Sequence, residues 1–260
     1  MREQTVAVFH AHPDDEVFGT AAATSALAAA GAEVRLFVAT GGELPEQGAD
    51  PRLDQVAARR IREGRLDRSC KLLGIERWGY LTRPGQWVDS TEWSRTLAAA
   101  PTEVVAAAVR GVLDEQRPEI VLSVGPDGLT GHPDHVAMHD AVAAALQLPG
   151  WSPRHAWGAV VVDADVRAAN ASIAQLLPAA EQHAVRRDTV TGVAAADIVQ
   201  TFGTATAGVA RRRAMDLYLD GLGTAPVDRL IEHHRLRGAS LTLRAVFDRT
   251  GGDKDYFTSL

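Results

Sequence analysis

Two short segments of this chain carry residue types that do metal chemistry. One is His12-Pro13-Asp14-Asp15-Glu16 and the other is His132-Pro133-Asp134-His135. A divalent cation that activates water takes a mixture of imidazole and carboxylate ligands and keeps part of its coordination sphere open. The two His-Pro-Asp runs supply that mixture. Taken singly, each run also reads as helix capping, because such side chains accept from free first-turn amides. Their recurrence in one kind of context points instead to a shared site.

That context is a strand followed by a helix. Residues 5–11 (TVAVFHA) read as a buried strand, and residues 16–30 follow with a helical pattern that Gly31 ends. His12, Asp14 and Asp15 therefore fall on a strand-to-helix turn, where open α/β sheets place their binding chemistry. Residues 119–124 (EIVLSV) form a second strand-like run. A Gly125-Pro126-Asp127-Gly128 loop leads from it to the second motif, with Pro133 suited to a first helical turn. Further strand-like runs cover 34–39 and 159–162, the latter inside an apolar stretch at 157–163. Helical patterns lie near 53–73, 102–116, 134–147 and 207–219. The alternation predicts an α/β fold: a Rossmann-like, mostly parallel sheet with helices on both faces and a more irregular C-terminal part. No G-x-G-x-x-G follows the first strand, so a dinucleotide is not implied. Residues 189–193 read as one more strand. Residues 82–98, with Trp87 and Trp93, read as an insertion loop whose tryptophans suit either a sugar or an interface. No boundary divides the chain, and residues 1–260 are read as one domain.

With His12, Asp15 and His135 as ligands, the site has the make-up of a catalytic zinc, which lowers the pKa of bound water to about 7. Iron(II) or another divalent ion suits the same donors. Asp14 adjoins a ligand and must point elsewhere, which frees it to act as a general base. Asp134 is placed to orient His132 by a hydrogen bond, or to serve as a favourable first-turn charge. His10, two residues before His12, is an alternative ligand. His139, four after His135, is either a further ligand or a packed residue. His155, His183, His233 and His234 lack companions at ligand spacing, and Glu16 is expected to be a helix-start charge.

Together, Ala11–Glu16 (AHPDDE) and Gly131–His135 (GHPDH) resemble the PIG-L/LmbE-type N-acetylglucosaminyl deacetylases. The resemblance runs over about residues 1–150 and includes Thr40-Gly41-Gly42-Glu43 and the Leu73-Gly74 helix end. It implies zinc-dependent hydrolysis of an N-acyl, typically N-acetyl, amide on a small amino-sugar glycoconjugate. It implies the same division of roles between Asp14 and Asp15. It also implies that His132 stabilises the oxyanion or protonates the leaving amine, and that Glu43 binds sugar hydroxyls. Counting back from Gly74, Arg62 falls at the family's sugar-binding arginine. The glutamate of the family's Arg-x-x-Glu is replaced there by Arg65, whereas Arg60 and Glu63 keep the spacing two residues out of register. Thiol-pathway members carry Lys-x-x-Ala-x-x-x-His-x-Ser-Gln near the C-terminus. Here Tyr218 stands at the histidine, with Asp220 and Gly221 in place of the serine and glutamine. The alternatives are an amidase or deacylase acting on a thiol conjugate or natural-product intermediate, or a metal-dependent binding protein without turnover. Intact Asp14 and His132 favour turnover.

Composition narrows the partners to small molecules. The net charge is −6 and no basic stripe stands out, which argues against nucleic acid. The run Arg211-Arg212-Arg213 is expected on a solvated helix face. No stretch reaches the roughly 20 apolar residues of a membrane span. The start of the chain shows no signal peptide, so the cytoplasm is the expected compartment. Cys70 is the single cysteine, which excludes an intrachain disulfide and a thiolate cluster, and its helical position suits burial. The oligomeric state is left open.

Overall fold

Strands that are buried at nearly every position need cover on both faces. In the computed structural model, which describes residues 4–44, 54–178, 181, 190–234 and 236–260, two such strands lie side by side at the centre of a sheet. They are β1 (Thr5–His10) and β4 (Ile120–Val124), with Val6 opposite Ile120 and Val8 opposite Leu122. β2 (Glu33–Val38) and β3 (Arg77–Tyr80) extend the sheet on one side, and β5 (His155–Val160) on the other. The seven-stranded order is β3-β2-β1-β4-β5-β7-β6. The first five strands are parallel. The C-terminal part departs from that pattern. β7 (Lys254–Ser259) runs antiparallel to β5, and β6 (Gln200–Gly203) antiparallel to β7.

Parallel neighbours need crossover connections. α1 (Ala21–Ala29), α2 (Gln55–Leu73), α3 (Thr102–Gln116) and α4 (Pro133–Gln147) supply them. Alternate residues of β1 divide the core in two. Val6 and Val8 pack in the layer that holds Leu66 and Leu73 of α2. Ala7 and Phe9 pack against Val109 and Leu113 of α3 and Met138 of α4. Cys70 is buried in the first layer, as its helical position suggested. The first layer also takes α5 (Asp163–Leu176), α6 (Ala205–Tyr218), α7 (Val227–His233) and α8 (Gly238–Thr250). Gly74 ends α2 at φ 74°, where a Cβ would stand 2.7 Å from that of Ala28, so both backbone hand and space demand glycine. Among the described residues, no helix is long and apolar enough to cross a membrane.

Several expected elements shift. Residues 16–20 form one turn of π-helix before α1 begins at Ala21. β5 starts earlier than expected, at His155. Of the expected strand at 189–193, Thr189 lies outside the described residues, and Val193 makes only an isolated bridge with Val162. Arg211 corrects the expectation of a solvated face. It is fully buried, ion-paired with Asp255, and its guanidinium carbon lies 4.3 Å from the Phe247 ring centre. Arg212 donates to the Gly223 carbonyl and to Asp248, which leaves only Arg213 exposed. Helical periodicity turns position 211 inward with Ala207, Ala214 and Tyr218. Asp255 also accepts from the Ala23 amide at 2.8 Å, so the pair ties α6 and β7 to α1. Arg211→Met removes the cation and leaves a buried carboxylate unpaired, which is expected to cost about 3–5 kcal/mol of unfolding free energy. Urea denaturation measures this, and a loss below about 1 kcal/mol would contradict the pairing.

Candidate metal centre

The strand order reverses between β1 and β4, because β1 leads to β2 on one side and has β4 on the other. The crevice at the carboxyl ends of those two strands is where ligands bind in open α/β sheets. Both His-Pro-Asp runs leave their strands there. His12 and His135, 123 residues apart in the chain, bring Nδ1 and Nε2 to 3.1 Å of each other.

The hydrogen bonds set which nitrogen of each ring holds the proton. His135 Nδ1 lies 2.9 Å from the Gly128 carbonyl, so it donates and Nε2 is left as a lone pair. Gly128 reaches this position at φ 64°, and a Cβ there would crowd His135 at 2.9 Å. His12 Nε2 lies 3.2 Å from Asp134 Oδ2 and donates to it, which leaves Nδ1 as a lone pair. Asp15 Oδ2 accepts from the amides of Ala11 and His12, and Oδ1 lies 3.0 Å from His135 Nε2. Three lone-pair donors thus converge with no proton assigned between them. That is a poor arrangement for an empty site and a good one for a cation. Two zinc–imidazole bonds of about 2.0–2.1 Å at a tetrahedral angle hold the nitrogens roughly 3.3 Å apart, close to the spacing seen.

The local field agrees. Burial alone would pull His12 down, but the Asp134 hydrogen bond and the Asp15 charge outweigh it and push the imidazole up to about 9. Burial works against ionised Asp15 too, yet His135 and His12 hold its carboxyl well below the usual range. Positive charge is favoured at this point. Two other groupings lie within reach of one ion: His12 with His132 and His135, and His12 with Asp89 and Asp134. In the second, His12 Nε2 and Asp134 Oδ2 lie 3.2 Å apart as hydrogen-bond partners. The first uses His132, whose Nδ1 accepts the Asp134 amide at 3.2 Å, so that the neutral ring holds its proton on Nε2. Burial, reinforced by the neighbouring histidines, keeps His132 below its ordinary value and thus neutral. His12, Asp15 and His135 meet at the same point, with ligand atoms 3.0 to 3.7 Å apart.

Asp14 is turned away from these three. Its Oδ2 accepts from Arg62 Nη1 at 2.6 Å, and the same nitrogen donates to the Pro13 carbonyl at 2.9 Å. Burial pushes the Asp14 carboxyl up, against the pull of Arg62. Its φ is 115°, a conformation that non-glycine residues rarely adopt and that concentrates at active sites. Leu129, at φ 65°, borders the same cavity, which encloses about 220 Å3. His12, Asp14, Asp15, Arg62, His132 and His135 all line it.

Glu16, Asp134 and Glu43 sit differently from expectation. Glu16 is a partner of the site. It is fully buried, which pushes its carboxyl up to about 7, and it accepts from the Asp14 amide at 2.9 Å, Ser69 Oγ at 2.5 Å and Tyr218 OH at 2.7 Å. Asp134 directs its carboxylate to His12 and to the Ala98 amide, and it orients His132 only through its own backbone amide. Glu43 does not border the cavity. It is buried and accepts from the amides of Gly41 and Asp89. Asp89, which the sequence reading missed, lines the cavity in its place, brought there by the loop at 82–98. His10 is turned to Thr20 Oγ1 at 2.9 Å, and burial pushes it down to about 4, so it stays neutral and apart from the ligands. His139 bonds the Val124 carbonyl at 3.0 Å. Trp87 is buried and Trp93 is exposed, and neither borders the cavity.

The Tyr218–Glu16 contact holds the strained Asp14 peptide. Tyr218→Phe removes one donor to a buried carboxylate, an interaction of about 1.5–3 kcal/mol. We expect turnover to fall about tenfold with metal content intact. Unchanged kinetics would show that Ser69 and the Asp14 amide hold Glu16 without help.

The comparisons with known proteins extend this picture. Residues 7–146, from within β1 to within α4, match the PIG-L family, described as GlcNAc-PI de-N-acetylase. The chain is 40% identical over 170 residues to the 1D-myo-inositol 2-acetamido-2-deoxy-alpha-D-glucopyranoside deacetylase of Kineococcus radiotolerans, covering 58% of this chain and 47% of that protein. It is 32% identical over 191 residues to the protein of the same name from Mycobacteroides abscessus, covering 68% of each. The chain thus spans about half to two thirds of the length of these relatives. In fold it is similar to N,N'-diacetylchitobiose deacetylase from Pyrococcus horikoshii, with a TM-score of 0.62 and 16% identity over 100% of this chain and 84% of the other. Because the matched segment encloses both His-Pro-Asp runs and covers more than half of the chain, this protein belongs to the PIG-L family.

Proposed function

We propose that this chain is a metal-dependent deacylase that hydrolyses the N-acetyl amide of an amino-sugar glycoconjugate. The observation that carries the reading is the convergence of His12 Nδ1, His135 Nε2 and Asp15 Oδ1 beside Asp14, a carboxylate kept off that point by Arg62. Those three residues would hold a divalent cation, zinc first and iron(II) as the alternative, which would supply Lewis acidity to the amide carbonyl and to water.

The remaining work falls to the side chains. Asp14 takes a proton from the attacking water as its oxygen bonds to the amide carbon. Arg62 aims that carboxylate, and the burial that raises it suits it to take up a proton. His132, neutral and with its proton on Nε2, donates to the carbonyl oxygen as negative charge builds there. The C–N bond then breaks as Asp14 returns its proton to the leaving nitrogen, and the acetic acid formed gives its own proton to the amine, so that acetate and an ammonium product remain. Asp134 acts as a positioning residue, on His12 through its carboxylate and on His132 through its amide. Arg62 and Asp89 face the cavity as groups for sugar hydroxyls, and Glu43 supports the loop that presents Asp89.

Amine release from a panel of N-acyl amino sugars, with metal-loaded and chelator-dialysed protein, tests the reading. Metal-dependent release is expected. Tight sugar binding with no release from any member would favour a binding protein instead. His132→Ala is expected to lower kcat about a hundredfold to a thousandfold, the usual cost of one oxyanion donor, with KM and metal content little changed. Loss of the metal would make His132 a ligand, and a change in KM alone would make it a substrate-positioning residue.

A further inference from the structure

Trp93 is the largest apolar side chain that the described residues leave in water, 60% exposed on the loop at 82–98. It borders a groove of about 320 Å3 between the N-terminal halves of α3 and α4. Pro133, Ala137 and Asp140 follow one another along the face of α4 that lines the groove, and Thr102 comes from the start of α3. The groove is continuous with the metal centre. Pro133 follows directly on His132, which lines the metal cavity. The amide of Ala98, on the groove wall, donates to the Asp134 carboxylate at 2.7 Å.

The lining joins two kinds of surface. The exposed indole offers a broad apolar face. Asp140 and Thr102 are exposed beside it, and among the described residues neither side chain has a hydrogen-bond or ion-pair partner. A sugar ring matches both, with C–H bonds on its faces and hydroxyls around its edge. The indole can take a face, and the carboxylate, an acceptor only, can take hydroxyl protons. The charge of Asp140 opposes an anion. A protein partner fits less well, because a stable interface buries about 800 Å2 on each side. Of the other large apolar residues left exposed, only Val104 stands on an element that lines the groove.

We propose that this groove is a second carbohydrate subsite, in which a further ring of the substrate stacks on Trp93 and gives hydroxyl hydrogen bonds to Asp140 and Thr102. The proposal rests on the deacylase reading above. It narrows the substrate to an N-acetyl amino sugar that is linked to at least one more sugar.

The test uses the full chain, zinc-loaded and carrying Asp14→Asn, and calorimetric Kd values for N-acetylglucosamine, N,N'-diacetylchitobiose and N,N',N''-triacetylchitotriose. Stacking on the indole is expected to tighten binding about tenfold at the member that first reaches it. The ratio of the monosaccharide Kd to that of the tighter oligosaccharide should collapse toward one when Trp93→Ala is added, and stay nearer its original value with Trp93→Phe. Taking a ratio within each protein cancels any general loss of folded material. A flat series overturns the proposal, and so does a ratio that Trp93→Ala leaves unmoved, which would seat the added ring elsewhere. A fall in sedimenting mass on Trp93→Ala would make the indole a contact between two copies of the chain and would also overturn it. Amine release by wild type from N-acetylglucosamine, alongside a flat series, leaves the deacylase reading standing. Absence of release from all three sugars and from the wider panel of N-acyl amino sugars overturns that reading and the proposal with it.

Discussion

Replacing His135 by alanine is expected to empty the metal centre and abolish hydrolysis. Its Nε2 lies 3.1 Å from His12 Nδ1 and 3.0 Å from Asp15 Oδ1, so it is the donor that joins the two halves of the site. Loss of a residue that merely supports a ligand commonly costs ten- to a hundredfold in metal affinity, and loss of a ligand should exceed about a hundredfold. The neighbourhood adds to the effect, because the Gly128 carbonyl and Thr130 Oγ1 lose the ring they orient. Equilibrium dialysis with elemental analysis measures the outcome. Wild type should hold close to one ion per chain and the variant little at matched free metal. An unchanged metal content would sink this assignment and turn attention to His12, Asp89 and Asp134, a grouping that does not need His135.

Asp14→Asn is expected to keep the metal and lose turnover by about a hundredfold to ten-thousandfold, the range for removal of a general base. Asparagine matches aspartate in shape and tolerates a positive φ better than most residues, so the 115° backbone and the Arg62 contact can persist. What disappears is the capacity to take up a proton. The effect should fall on kcat, with KM nearly unchanged. Steady-state kinetics beside metal analysis separates the possibilities. Turnover near wild type would remove Asp14 from the base role, and loss of metal would make it a ligand.

The centre of this protein was legible because its signals are local. The runs 5–11 and 119–124 are apolar at nearly every position, which few arrangements other than a doubly covered parallel strand can satisfy. His-Pro-Asp follows the first directly and the second after a seven-residue loop, so both strand-to-helix turns could be placed without knowing the rest of the fold. Arg62, expected from its count back from Gly74 to bind sugar, is set by the structure against Asp14. The two antiparallel strands at the C-terminal edge left a weaker signal. β6 has four residues, and its apolar content is a single phenylalanine.

The contacts made across the fold were not legible, for a shared reason. Glu16 reads as a helix-start charge, and only the packing of α6 against the π-helical turn at 16–20 brings Tyr218 to it from 202 residues away. Ser69 arrives from α2, two turns beyond Arg62 on the same helix, so that one helix serves both Asp14 and its support. Glu43 has the residue type of a sugar ligand, but the Asp89 amide reaches its carboxylate first. Arg211 belongs to a charged triplet, yet its helical phase and the buried Asp255 on β7 draw it inside. A residue's type states what it can donate or accept, and its near neighbours state which element it joins. Which distant partner desolvates it is settled only when the helices pack, because burial and pairing belong to both partners at once and neither sequence segment encodes them alone.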